Sequence, residues 1–532
     1  MSDVSWESGV GNLRKTNLVM IMSNISSLQT LLFKAYENYP KNIAIVSDEQ
    51  FITYEELIKK ISIIAFNLKK QNFPNQYPVV IYGHKSIEFI CTMYACILIG
   101  QPYIPLQEIQ PHGRIQYVLQ DSYVSAFLYH TREDKTFLNQ SYAVLCIAIS
   151  DLTSCVNGMT HHDFSIFQEQ LQEQRKKSHP IFTLYTSGST GTPKGVIFNQ
   201  VNVLNFINWA IKEMQMVCND RVASFAPLHF DLSTFDIFST LSVGATVYFV
   251  PEEYKPFPAT LVSWLNRNAI SVIYMVPTAI ISILKKGNWT QEISSNLRLI
   301  LFAGEQFPLS DLCALRALFP FIRLINLYGP TETNVCSWYE VPNLAACEEM
   351  SYLSIGLPID QTELYIVNNN GDRLSALYAE GELYCVGPSV SIGYVRDQWS
   401  ERFFIAAEQR GFRTGDIVKI VPEGFVFLHR KDRQIKRNGY RIDISEIESC
   451  LRQHPMVHNA AVINKNNLLI AFLECSQSSA PTSQELHDLC RNFLHKIMHP
   501  DEYLFLQNLP RTATEKINYQ ALLENIVEEV LL

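Results

Sequence analysis

The stretch LYTSGSTGTPKG, Leu184–Gly195, follows an apolar lead-in from Ile181 to Tyr185 and packs three glycines, a row of Ser and Thr hydroxyls, Pro193 and Lys194 into one short segment. A glycine accepts positive φ and lets backbone come close to a ligand. Hydroxyls and free backbone N–H groups suit phosphate oxygens, and a lysine adds a point charge. A Gly/Ser/Thr/Pro cluster alone reads as a surface turn. With the strand-like run before it and the lysine within it, the stretch reads as a polyphosphate-binding loop. Lys194 is followed by Gly195, so the Gly-Lys-Ser/Thr of a Walker loop is missing and a P-loop ATPase is disfavoured.

Strand and helix patterns alternate on both sides of this loop. Upstream, a helical pattern spans Ser27 to Tyr36, and Ile43 to Val46 reads as a strand. FITYEEL opens a helix with Leu57, Ile61, Ile64 and Leu68 on one face. Val79 to Tyr82, Ala126 to Tyr129 and Tyr142 to Ile147 are further apolar runs, and Ser86 to Ile99 is a helix ending at Gly100. Downstream, strands are expected at Val222–Phe225, Ala245–Val250, Val272–Val276, Leu297–Ala303 and Arg323–Tyr328, ending in HFDLS, Pro251, Pro277, AGE and YGPTET. The alternation predicts a largely parallel sheet with packed helices, whose ligands lie beyond the carboxyl ends of the strands. Leu364 to Phe427 changes to short strands and tight turns, a β-rich subdomain.

Between Asp151 and Pro180 the chain is polar and patternless; His161, His162 and Asp163 there are adjacent loop residues, which rarely converge on one ligand. HRKDRQIKRNGYR, from His429, has no hydrophobic period and reads as a solvated loop between domains. Beyond a hinge near Asp432 the last hundred residues carry their own α+β pattern, with Thr482 and Glu485 as a capping box for a helix through Met498. The expected division is an extension at 1–22, a large α/β domain at 23–431 and a small mobile α+β domain at 432–532.

At 532 residues the chain exceeds one ordinary core. Hydrophobic residues make up 47% and charged residues 18%, a globular balance. A net charge of −9 argues against a dedicated nucleic-acid or anionic-membrane partner. The twelve cysteines are scattered singly, as in a reduced, cytoplasmic protein, and no apolar run approaches a membrane span.

LYTSGSTGTPKG, NLYGPTET, GELYCVG, FRTGD, HRKDRQIK and LPRTATEK occur in this order between residues 184 and 516. Together they resemble the adenylate-forming superfamily, specifically the stand-alone adenylation domains of nonribosomal peptide synthetases. The resemblance implies αβαβα-layered sheets with a small β subdomain and a two-step reaction. A carboxylate attacks the α-phosphate of ATP, expelling pyrophosphate, and a phosphopantetheine thiol then displaces AMP. It also implies roles for residues. Thr186, Ser187, Gly188, Ser189, Thr190, Gly191 and Lys194 would hold the phosphates, and Glu332 would bind Mg²⁺. Tyr328 would pack on adenine, with Gly304, Glu305, Asn326, Gly329 and Thr331 nearby, and Asp416 and Arg430 would take the ribose. Lys516 would bridge the carboxylate and α-phosphate during adenylation. Rotation about Asp432 would withdraw it and bring Gly439 towards a thiol tunnel.

Asp231, in HFDLSTFDIF, stands where amino-acid-activating members pair an aspartate with the substrate ammonium, since a buried carboxylate needs a cation. The rest of the pocket maps by motif to Phe230, Leu232, Phe235, Tyr274, Leu301, Ala303, Leu327, Val335 and Cys336. None of these is charged, and a charged substrate side chain would be stranded there. A small, neutral, amine-bearing acid fits. The set is similar to that of enzymes loading L-proline onto a separate carrier protein, en route to pyrroles or anatoxin-type alkaloids. No Gly-Gly-x-Ser attachment motif follows Lys516, so the thiol is expected from a partner in trans. Glu515, Gln520, Arg437, Asn438 and Ser445 depart from the family pattern. The rival reading is an acid–CoA ligase of the same fold, against which Asp231 argues.

Overall fold

The computed structural model describes residues 27–47, 50–74, 76–108, 110–130, 144–153, 179–187, 192–291, 294–396, 400–475, 480–511 and 517–523. The extension at 1–22, His161, His162 and Asp163, Gly188–Gly191, Glu515 and Lys516 lie outside them.

Period-two burial builds the large domain. In the strand Val79–Tyr82, Val79 and Ile81 enter one core while Val80 and Tyr82 enter another. In Val272–Met275, Val272 and Tyr274 face the first core, and Ile273 and Met275 face a third. Both strands are covered on two faces, as parallel sheets are. Among the described residues one sheet has nine strands, ordered Leu357–Pro358, Ser337–Glu340, Arg323–Tyr328, Leu299–Ala303, Val272–Met275, Arg221–Ser224, Thr246–Phe249, Ile43–Ser47 and Gln50–Thr53. A second has seven, ordered Gly393–Tyr394, Lys194–Asn199, Pro180–Thr186, Tyr103–Leu106, Val79–Tyr82, Ala126–Tyr129 and Leu145–Ala148.

Helices Leu28–Asn38, Tyr54–Lys70, Ile87–Ile99 and Gln200–Glu213 fill the layer between the two sheets. Pro258–Arg267, Pro277–Lys286 and Leu309–Leu318 cover the outside of the first sheet, and His112–Asp121 that of the second. The layering is therefore αβαβα. Helix ends follow local chemistry. Thr53 and Glu56 form a capping box, Ser86 caps Ile87–Ile99, and Gly100 ends that helix at φ 70°. The strand expected at Tyr142–Ile147 is described from Leu145 to Ala148, so three residues of the expected run lie in the observed strand.

The β subdomain pairs Glu380–Val386 with the long strand Gln409–Val421, which pairs in turn with Gly424–Arg430. HRKDRQIKRNGYR is not a solvated loop: Gln434–Arg437 and Tyr440–Asp443 form an antiparallel hairpin. Its charges have partners far away in sequence, which periodicity cannot register.

From the hairpin onward, Ile442, Ile447, Leu451, Val462, Leu473 and Leu486 form a separate core, and Ala461, Ile463, Phe472, Leu509 and Leu522 another. The Thr482–Glu485 capping box is present, but its helix stops at Phe493. The expected continuation to Met498 fails because Leu494 turns extended and His495 caps a new short turn, Lys496–Met498. Among the described residues no helix is long and apolar enough to cross a membrane.

Candidate active site

A cavity opens where the carboxyl ends of the large domain's strands meet the hairpin of the small domain. Thr186, Ser187, Phe230, Asp231, Leu232, Tyr274, Ala303, Gly304, Gly329, Thr331, Val335, Asp416 and Arg430 line it, so thirteen residues singled out from sequence converge.

Asp231 lies after the strand Arg221–Ser224, just before a π-helical turn at Phe235–Ser239. The hydroxyls of Ser233 and Thr234 donate back to the carbonyls of Phe230 and Asp231, each at 2.6 Å, which fixes this turn. Burial pushes the Asp231 carboxyl up, while a hydrogen bond from Thr331 pulls it partly back. Tyr274 and Phe235 meet edge to face with centroids 5.7 Å apart. Phe235, Leu301, Leu327 and Cys336 are fully or almost fully buried behind the lining rather than in it. Cys336 is not a polar group offered to a ligand, because its free thiol is hydrogen-bonded to that of Cys385.

At the other end Asp416 lies opposite Arg430 across two strands and accepts from its Nη1 at 2.6 Å. Tyr328 donates its hydroxyl to Asp416, and the Lys436 ammonium lies 5.8 Å from the ring centroid. Tyr328 therefore stands behind Asp416 and outside the lining. Arg430 also donates to Asp432 at 2.9 and 2.7 Å, and Arg402 reaches Asp432 at 2.6 Å. Asn326, read as a nucleotide contact, instead donates to the Ser354 carbonyl at 2.8 Å and is buried. Glu305 accepts from Thr278 and from the backbone N–H of Gly439.

Thr186 and Lys194 are cross-strand partners, so the glycine-rich loop closes a hairpin. Lys194 Nζ sits 5.4 Å from the Tyr394 ring centroid. Glu332 follows a turn that needs Gly329, where a Cβ would come 1.7 Å from the Asn334 carbonyl oxygen. Burial alone would raise its carboxyl, but Arg441 and Tyr394 outweigh burial and hold it at about 2. Tyr394 donates to Oε1 at 2.6 Å and Arg441 to Oε2 at 2.7 Å. Among the described residues no group of three or more His, Cys, Asp or Glu gathers as a metal site. One carboxylate with substrate phosphates suffices for Mg²⁺. Glu332 fits that chemistry once Arg441 is withdrawn.

Sequence reasoning missed Arg441, Arg114, Gln434, Lys436, Tyr440 and His495, all in the lining. Five of these come from the small domain; the density of charge in HRKDRQIKRNGYR could have pointed to Gln434, Lys436, Tyr440 and Arg441, and no sequence signal to His495. None of the described residues beyond Met498 lines the cavity. The segment around Lys516 is flanked by Arg511 and Ile517, which bridge each other, and Ile517 packs on the small domain's sheet.

A large αβαβα domain joined to a smaller domain, with a cavity between the strand ends of the one and a hairpin of the other, defines a two-domain enzyme class. The chain belongs to the AMP-binding enzymes: residues 32–395 match the family "AMP-binding enzyme" and residues 446–516 its "AMP-binding enzyme C-terminal domain". It is 32% identical to an L-proline–[L-prolyl-carrier protein] ligase of Pseudomonas fluorescens, over 94% of this chain and 99% of that one. A ligase of the same name from Streptomyces coelicolor is also 32% identical, over 88% and 91%. Among solved structures, the Vibrio cholerae adenylation domain AlmE, in complex with glycyl-adenosine-5'-phosphate, superposes with a TM-score of 0.81 at 22% identity, covering 95% of this chain and 98% of that one.

Proposed function

We propose that this enzyme activates L-proline as prolyl-AMP and transfers it to the phosphopantetheine thiol of a separate carrier protein. The observation that carries the reading is Asp231, a carboxylate on a cavity wall otherwise built from Leu232, Tyr274, Ala303 and Val335. An anion there needs a cation, and the substrate ammonium supplies it. The full-length likeness to proline-activating relatives supports proline over other small neutral acids.

In the first half-reaction a proline carboxylate oxygen bonds to the α-phosphorus and pyrophosphate leaves with the broken P–O electron pair. Thr186, Ser187 and Lys194 hold the phosphates, Asp416 and Arg430 the ribose, and Lys516 the meeting anions. Mg²⁺ held through Glu332, when bound, spreads the phosphate charge. In the second, the thiol sulfur bonds to the acyl carbon, AMP leaves with the C–O pair, and the thiol proton is released. The hairpin at the cavity supports assignment of the present arrangement to this second step, with Asp432 as the hinge. The eleven described cysteines, all free thiols, support a cytoplasmic setting. A prolyl thioester on a carrier suits secondary-metabolite assembly, including toxin pathways.

ATP–pyrophosphate exchange over the common amino acids tests the substrate. Exchange with proline no greater than with alanine or valine would overturn it. Holo-carrier against CoA as acceptor separates this reading from an acid–CoA ligase.

A further inference from the structure

The cavity has a third wall, at the seam of the two domains, that serves neither the Asp231 pocket nor the Asp416 end. Gln110 and Arg114 enter it from the large domain, and Tyr440, His495 and Met498 from the small one. Aromatic rings run across the seam in sequence. His229 meets Phe230 with centroids 5.0 Å apart, Phe230 meets Tyr440 at 4.7 Å, and Tyr440 stacks on His495 at 4.5 Å. Charge at this wall is cancelled. Arg114 pairs with Glu446 at 2.9 Å, both deeply buried. Burial, helped by neighbouring cationic groups, pushes His229 down to about 3 and His495 to about 4, so both rings are neutral at physiological pH. An aromatic and thioether wall without net charge suits a neutral chain carrying amides and sulfur, rather than a phosphate or an ammonium.

His495 has one ring nitrogen committed. Its Nδ1 accepts the Ile497 N–H at 3.4 Å as the cap of Lys496–Met498, which leaves the proton of the neutral ring on Nε2. Nε2 is buried and has no partner among the described residues, although most buried polar groups have one. The donor comes from the small domain and lines the cavity across the seam from Gln110 and Arg114.

We propose that His495 is a positioning residue whose Nε2–H donates to an amide carbonyl of the phosphopantetheine arm and holds the thiol towards the acyl carbon beside Asp231. The proposal rests on the carrier-loading reading above. His495 does not enter the covalent chemistry.

Two variants test it. His495→Phe keeps a ring against Tyr440 and removes the donor; His495→Gln keeps an N–H. Thioester formation is measured with holo-carrier, with pantetheine and with 2-mercaptoethanol, a thiol that has no amide. ATP–pyrophosphate exchange should stay within about twofold of wild type in both variants. For His495→Phe, KM for holo-carrier and pantetheine should rise about tenfold with kcat little changed, as for one lost hydrogen bond. His495→Gln should recover most of that loss, and 2-mercaptoethanol should react alike with all three proteins. An unchanged KM in His495→Phe overturns the role. So does an equal loss with 2-mercaptoethanol, or a loss in His495→Gln as deep as in His495→Phe. Wild-type enzyme that forms prolyl-AMP but loads no holo-carrier overturns the carrier reading itself, and His495's role with it.

Discussion

Arg441 of the small domain donates to Glu332 of the large domain at 2.7 Å, while Ser187 of the glycine-rich loop donates to the Arg441 carbonyl at 2.6 Å. One residue thereby engages the carboxylate assigned to the metal and the loop assigned to the leaving phosphates. Arginine and a divalent cation compete for the same oxygen. Arg441→Ala should tighten Mn²⁺ binding in the absence of nucleotide, by about tenfold, as read by Mn²⁺ paramagnetic resonance. Affinity equal to wild type would show that the pair does not govern the metal.

The same pair sets an acid limit. Glu332 titrates at about 2 in the fold and near 4.5 when unfolded, so the native state binds its proton more weakly. The resulting stability is present above pH 4.5 and is lost as pH falls through that value towards 2. Glu332→Gln should remove a stabilisation of up to about 3 kcal/mol at neutral pH and almost none near pH 2. Denaturant unfolding from pH 7 downwards checks this, and a difference independent of pH would contradict it.

Asp231 carries the opposite sign. Burial raises its carboxyl, so the fold favours the protonated form and loses stability as pH rises through the raised value. Asp231→Asn should raise Tm at neutral pH while reducing proline-dependent exchange at least about 100-fold. A variant neither more stable nor less active would contradict both parts.

Lys516→Ala should abolish proline-dependent exchange, by about 10²–10³ in rate, and leave transfer from preformed prolyl-AMP largely intact. Equal loss in both assays would count against a division of labour between two domain positions.

Gly113 marks where the domains touch. A Cβ there would come 2.5 Å from the Asn492 carbonyl oxygen and 2.6 Å from the Phe493 ring. Gly113→Val should prop the seam open and slow carrier loading about tenfold or more, with exchange near wild type. Normal loading would mean that the seam is not closed in that step.

The layered core was legible because it follows local rules. The strand runs around Tyr274, Leu301, Ala303 and Leu327 stand out as apolar segments, and Ser86, Gly100 and Thr482 mark helix ends through chemistry local to the backbone they cap. Long-range pairing was not legible. The partner of Arg441 is 109 residues upstream, and that of Arg114 is 332 residues downstream. Asn326 shows the same limit from within a motif: it shares the strand of Leu327 and Tyr328, but its side chain amide is engaged by the carbonyl of Ser354, 28 residues away.

Phe235, Tyr274, Leu301, Leu327, Val335 and Cys336 belong to the same continuous core as the helices between the two sheets. On the proposed reading, the wall that selects the acid, Tyr274 and Val335, is backed by residues that also keep the chain folded. Truncating Phe235 would cost about 3–5 kcal/mol before any new acid gained a place. A lineage changing its substrate must therefore move through compensated sets of volume-conserving exchanges, and preference should persist over long divergence while the surface drifts freely.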